Sequence, residues 1–195
     1  APQNTGADER IRYTVTERNL FRNFSGAQGG RMMLLSAVNS TFRDNAMNMS
    51  GTSALYPIFG VQVAARGVEP VASADEIYNN TGYTASSVSN PQYVVGFSSI
   101  GAGTPGQNSW AINNLDYNSS NNGAAVSNSG SGNTVTPNTT TITNNPGFTN
   151  GSTTLSLISD FKPTANYTGG VSEPVWYDAL GIPWSPTWDL GAVHH

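Results

Sequence analysis

The residues able to do chemistry are few and unevenly placed. Histidine occurs only as His194 and His195, at the extreme end of the 195 residues, and cysteine is absent. A Ser-His-Asp triad, a histidine general base or a histidine zinc site would have to be built from that end. Disulfides, thiolate metal sites and cysteine nucleophiles are excluded. No GxSxG elbow, no phosphate-cradling GxxxxGKS/T loop and no HExxH segment is present. GAGTPG, residues 101–106, is rich in glycine but lacks the lysine and the following helix of a phosphate loop, and reads as a connection between strands.

Twelve carboxylates remain. Two of them about 5–10 Å apart would suffice to hydrolyse a glycosidic bond. Asp75, Glu76, Asp116, Asp160, Glu173, Asp178 and Asp189 form the pool, but their spacing selects no pair. Asp116 lies in NNLDYNSSNN, where side-chain oxygens are dense. Oxygen is the ligand calcium prefers, so Asp116 is the one calcium candidate, against a competing reading as a turn or capping residue. No other cofactor is implied.

Eight N-x-S/T sequons begin at Asn23, Asn39, Asn48, Asn79, Asn118, Asn138, Asn150 and Asn166. In a chain this rich in Asn, Ser and Thr many arise by chance, and they matter only where an exported protein is glycosylated. Asn118, Asn138 and Asn150 lie in the 35-residue stretch 118–152, which carries no charge at all.

Three of the four tryptophans crowd into the final stretch, EPVWYDALGIPWSPTWDLGAVHH. Pro174, Pro183 and Pro186 keep that stretch out of helix and central-strand geometry. An extended segment carrying Trp176, Tyr177, Leu180, Ile182, Trp184, Trp188 and Leu190 must bury them against its own sheet, a neighbouring subunit's groove or a ligand. Each buried aromatic removes about 150–250 Å² from water, worth several kcal/mol at about 25 cal/mol per Å².

Composition narrows the class of protein. Charged residues make up 10% and the hydrophobic set 37%. The usual charge has been replaced by neutral hydrogen-bonding turn formers, as on a surface that meets copies of itself, carries sugars or faces the exterior. Six of the seven arginines fall between Arg10 and Arg43, yet the formal charge is −4. That basic footprint is too sparse for a nucleic-acid partner. No apolar run approaches the length of a membrane span. Ala1-Pro2-Gln3 has the look of a mature end left by signal-peptide removal, and the expected location is extracellular, at a cell surface or on a virion.

The elements expected to position these residues come from periodicity. Ile11, Tyr13 and Val15 alternate as a half-buried strand. Leu34, Leu35, Val38, Phe42 and Ala46 recur at three and four residues, predicting a helix from Arg31 to near Gly51 that carries all four methionines, Met32, Met33, Met47 and Met49. ASADEIYNN, from Ala72, predicts one short helical turn capped by Ser73. Period-two runs at Phe59–Ala65, Tyr93–Phe97, Trp110–Ile112 and Leu155–Phe161 predict antiparallel strands.

The expected fold is α+β or mainly β: one domain, with an N-terminal strand and helix packed on an antiparallel sheet or sandwich. Residues 1–10 are an N-terminal arm, 11–117 the first part of the domain and 118–152 an uncharged loop or arm. Residues 153–173 close the domain and 174–195 form the extended tail. The favoured function is a non-enzymatic structural subunit of a filament or pilus, surface layer or capsid-like particle, self-associating through its terminal segments. A carbohydrate-binding or adhesive module using the C-terminal aromatics is the alternative, and a carboxylate-dependent hydrolase the second. The expected partners are copies of the chain and glycans.

Overall fold

The computed structural model describes residues 11–22, 30–49, 57–67, 69–84, 91–118, 123–138, 148, 155–164, 167, 169–172, 177–184 and 190–193. Fourteen strands run through them, and every pair of adjacent strands is parallel. One sheet is built from β2 (Val15–Glu17), β6 (Thr41–Arg43), β9 (Glu76–Tyr78) and β12 (Trp110–Ile112). A second contains β3 (Leu20–Phe21), β7 (Ala46–Asn48), β10 (Thr81–Thr84) and β13 (Leu115–Asn118). The third contains β4 (Gly30–Leu35), β8 (Ile58–Val63), β11 (Gln92–Phe97) and β14 (Gly123–Asn128). A narrow fourth strip pairs β1 (Ile11–Arg12) with β5 (Ala37–Val38) and continues by single bridges to Ser73 and Gln107.

In each sheet the neighbour of a strand comes from the next circuit of the chain. The molecule is therefore a parallel β-helix, a solenoid in which each coil contacts only the coils before and after it. The expected antiparallel sheet is overturned. Antiparallel pairing needs the chain to reverse at every strand, whereas here it turns two corners in the same sense and climbs one rung per circuit.

The corners explain the composition. At the first, Tyr13, Asn39, Ala74 and Asn108 hold left-handed φ values of 49–56°, and Gly132 follows at 69°. At the second, Arg18, Asp44, Asn79 and Asn113 hold φ of 53–57°. Asn and Asp tolerate this region better than most residues because their short side chains bond locally. The residue after each left-handed one forms a ladder along the axis. Asn19, Asn45, Asn80 and Asn114 each donate a backbone N–H to the side-chain oxygen of the next rung, Asn45, Asn80, Asn114 and Asn138, at 2.9–3.1 Å. A second ladder climbs the first corner. There Thr14, Ser40, Asp75 and Ser109 donate backbone N–H groups to Ser40 Oγ, Asp75 Oδ1, Ser109 Oγ and Asn133 Oδ1 at 2.9–3.3 Å. Rungs are separated by 26, 35, 34 and 24 residues in both ladders.

The predicted helix from Arg31 is also overturned: that stretch forms β4, β5, β6 and β7. Its inward side chains, Leu35, Ala37, Phe42, Met47 and Met49, enter the core with Ile58, Val61, Val63, Ile77, Val94 and Phe97. The three- and four-residue spacing of Leu35, Val38, Phe42 and Ala46 is a coincidence of short strands and corners: Leu35 and Phe42 face the core, whereas Ala46 belongs to the outer cluster with Tyr83 and Leu115. The helical turn predicted at Ala72 is a bridge followed by β9, and the only helix among the described residues is a single 3₁₀ turn, Ile158–Phe161. The predicted strand 11–17 is broken at Tyr13 by the first corner. Of the uncharged stretch 118–152, residues 123–138 form another coil of the solenoid, ending in the rung residue Asn138.

The interior is too narrow for a side chain everywhere. A Cβ on Gly60 would lie 2.5 Å from Met47 Sδ and 2.7 Å from the Val94 carbonyl oxygen. Met47 can swing aside; the backbone of β11 cannot. Gly60→Ala is expected to destabilise the chain by about 2 kcal/mol, within the range of overpacked cores, measured by urea unfolding.

Candidate functional site

Few of the residues singled out by type converge in space. Among the described carboxyls, several serve as local anchors. Asp160 Oδ2 accepts the backbone N–H groups of Ser156 and Leu157 at 2.8 Å, and Asp178 Oδ1 those of Leu180 and Ile182 at 2.9 and 2.8 Å. Asp75 Oδ1 is a rung of the first-corner ladder. No group of three or more His, Asp or Glu side chains able to hold a metal occurs among the described residues.

Asp116, the calcium candidate, stands on the inner face of its sheet, fully buried and in register with Gly82, which pairs in turn with Met47. Burial pushes its carboxyl up to about 7. Asp44, at the second corner, is also fully buried. Burial raises its carboxyl to about 7 as well, against the opposing pull of Arg43, the Asn79 amide and Arg18.

The aromatic tail lies largely on its own solenoid where it is described. Leu190 is buried with Ala46, Leu115, Tyr83 and Tyr117 from the outer face of the second sheet, together with Phe148, Leu155 and Phe161. Ala192 N–H donates to Thr81 Oγ1 and Gly191 N–H to the Asn113 carbonyl, both at 2.8 Å. Asn113 also exchanges two side-chain bonds with the Val171 backbone, at 2.7 and 3.0 Å. Trp184 packs, partly buried, against Tyr78 and Ile112 on the first sheet. Tyr177, Leu180 and Ile182 stay 40–48% exposed. Trp176 and Trp188 lie outside the described residues.

The sequons separate clearly. Asn79 is fully buried, and Asn138 Nδ2 donates to the Ala111 and Val135 carbonyls while its Oδ1 completes a ladder rung. Glycosylation at Asn138 would break interior bonds, and at Asn79 it would place a sugar inside the fold. Asn39 is exposed at a corner, and Asn48 is partly buried on β7. Asn118 ends β13. Asn23, Asn150 and Asn166 lie outside the described residues.

The feature that periodicity did not single out is the first coil. Among the described residues, β1, β2, β3 and β4 each pair on one side only. Ile11, Tyr13 and Val15 are 61, 74 and 56% exposed, among the most exposed of the large apolar residues described. Asn19 Oδ1, the ladder's first acceptor, receives no bond from a described residue, while every later rung does. Among the described residues this is a sheet edge with an unfilled rung, the kind of surface onto which another strand adds. Ile11 and Val15 are legible as a strand face, but the edge position of their strands is not.

The class defined by this arrangement is a β-solenoid with asparagine and hydroxyl ladders at its corners. No protein-family model matches the chain, and neither a curated protein nor a solved structure is significantly similar to it. No helix among the described residues is long and apolar enough to cross a membrane.

Proposed function

We propose that the chain is a non-enzymatic structural module of an extracellular or surface assembly, and that copies associate through the open edge of the first coil. One observation carries this reading: among the described residues, four strands of the first coil have no partner on their outer sides, beside exposed Ile11, Tyr13 and Val15 and the unfilled Asn19 rung. Pairing there gives a second copy main-chain bonds and covers apolar surface at once. The placement of Asp75, Asp160 and Asp178 as backbone anchors rather than a facing pair also favours a structural role. Because Leu190 and Ala192 are engaged with their own sheet, the edge is a better contact than exchange of the tail.

Light scattering on chromatographed protein tests the proposal. Wild type is expected to form dimers or longer arrays as concentration rises, and Ile11→Lys with Val15→Lys to leave a monomer with unchanged β-type circular dichroism, since edge lysines oppose strand addition. A wild type that stays monomeric at high concentration, or a double variant that assembles equally well, refutes it.

A further inference from the structure

The outer face of the third sheet holds a groove that runs from the edge strand β4 to β14. It encloses about 400 Å³, the size of a small-ligand site, between the sheet and the loop after β11. Its floor is aromatic: Phe59 and Tyr93, in register on adjacent coils, stack with centroids 5.5 Å apart and planes 19° from parallel. Gly96 lies under the Phe59 ring, where any Cβ would collide with it, so the ring rests directly on the strand. On the next coil the position beside Tyr93 is Ala124, which brings no ring to cover it, and Tyr93 stays partly exposed.

The walls are polar and cationic. Gln62 Nε2 donates to Ser98 Oγ at 2.8 Å and to the Ser98 carbonyl at 3.1 Å, fixing the loop that forms one wall, and Ser127 supplies a hydroxyl from β14. Arg31, in register with Phe59, lies at one end with its Nε buried and without a hydrogen-bond partner. Arg66 bridges to Ile100 on the rim and is close enough to repel Arg31. Among the described residues no aspartate or glutamate lines the groove. Glu69, beside Arg66, accepts from the Arg66 N–H and from Ser36 Oγ.

We infer that this groove binds an acidic saccharide, its carboxylate on Arg31 and its ring against the Phe59–Tyr93 pair, with the serine hydroxyls and Gln62 along its edge. A sugar ring offers an apolar face to an aromatic and hydroxyls at its rim. The two guanidiniums then require a negative charge, which a neutral sugar lacks, and guanidinium suits a planar carboxylate geometrically. The inference does not depend on the assembly reading.

Calorimetric titration with oligogalacturonate, and with a neutral galacto-oligosaccharide of equal length, is the test. The acidic probe is expected to bind at least about tenfold more tightly than the neutral one, the worth of one hydrogen bond to a charged group. Its binding should weaken as salt is raised. Arg31→Gln and Tyr93→Ala are each expected to weaken it by about tenfold or more, with unchanged melting temperatures. If Tyr93→Ala melts early, Ser127→Tyr, which fills the groove from β14, should abolish binding instead. Equal affinity for the two probes, no binding of either, or binding that survives Arg31→Gln overturns the inference.

Discussion

Unfolding of the wild type in urea is expected to show a protein that is markedly more stable at pH 5 than at pH 8, the reverse of the usual loss on acidification. The cause is the pair of buried acids. Asp44 and Asp116 hold their protons up to about 7 in the folded state, against an ordinary value of 3.8. Between about pH 4 and pH 7 the folded chain keeps protons that the unfolded chain has released. Stability therefore falls by about 1.4 kcal/mol per pH unit for each carboxyl. This contribution is fully present below about pH 4 and is gone once pH passes about 7, a span worth up to about 4 kcal/mol per group. Asp116→Asn, which cannot ionise, should remove roughly half of the slope and raise stability at pH 8. Asp44→Asn should remove the other half, since its carboxyl is raised to about the same value even with Arg43 and Arg18 beside it. A stability that is flat or rising between pH 5 and pH 8, and insensitive to Asp116→Asn, refutes the account.

The second large effect is expected at the middle of the asparagine ladder. Asn80 is fully buried. Its Oδ1 accepts the Asn45 N–H at 3.0 Å, and its Nδ2 donates to the Phe42 and Tyr78 carbonyls at 3.1 and 3.0 Å. Asn80→Leu fills similar space but strands these backbone groups in the interior, where each costs about 1–3 kcal/mol. A loss of about 3–5 kcal/mol follows, or roughly 10–15 °C in melting temperature for a chain of this size. Asn80→Asp should be as damaging, because a carboxylate keeps the acceptor and loses both donors. Asn19→Leu, at the exposed first rung, should cost less than about 1 kcal/mol. Thermal melts followed by circular dichroism compare the three directly. Equal losses at Asn19 and Asn80 would mean that the ladder contributes nothing beyond its local turns.

These two features also mark what could and could not be read from the residues alone. The richness in Asn, Ser, Thr and Gly indicates turns and the period-two runs indicate strands, but neither carries the direction in which those strands pair. Direction is hard to infer because strands of two or three residues, such as Leu20–Phe21 or Ala46–Asn48, carry too few side chains to establish an alternation. Between Leu35 and Met49 the inward positions, Leu35, Ala37, Phe42, Met47 and Met49, stand two or five residues apart because each corner resets the alternation, so neither period is continuous. The signal that would have revealed the solenoid is a repeat. Ser40, Asp75 and Ser109 each precede an interior residue, Phe42, Ile77 or Ala111, by two positions and a rung asparagine, Asn45, Asn80 or Asn114, by five. Connections of unequal length, chiefly from the third sheet to the next strand of the first (Leu35 to Thr41 in one circuit, Val63 to Glu76 in the next), shift the period from 26 to 35 residues, and so conceal it from a search at constant spacing.

The buried tail residues were anticipated as apolar, but their partner was left open, since Leu190 meets Leu115 and Tyr83 only once the second sheet exists. The groove on the third sheet was invisible for a related reason. Arg31, Phe59 and Tyr93 are about thirty residues apart in the chain and become neighbours only through parallel register.

The constant distance between the two corners, five residues in every circuit, separates the chain into a fixed gauge and free margins. Everything from Ser40 to Asn45, Asp75 to Asn80 and Ser109 to Asn114 must keep its count, while the segment that follows can grow or shrink without disturbing the stack. A whole circuit is thus an interchangeable module. Duplicating one lengthens the rod by about 4.8 Å, the spacing of neighbouring strands, so that the reach of such a molecule is set in discrete steps by the number of its turns.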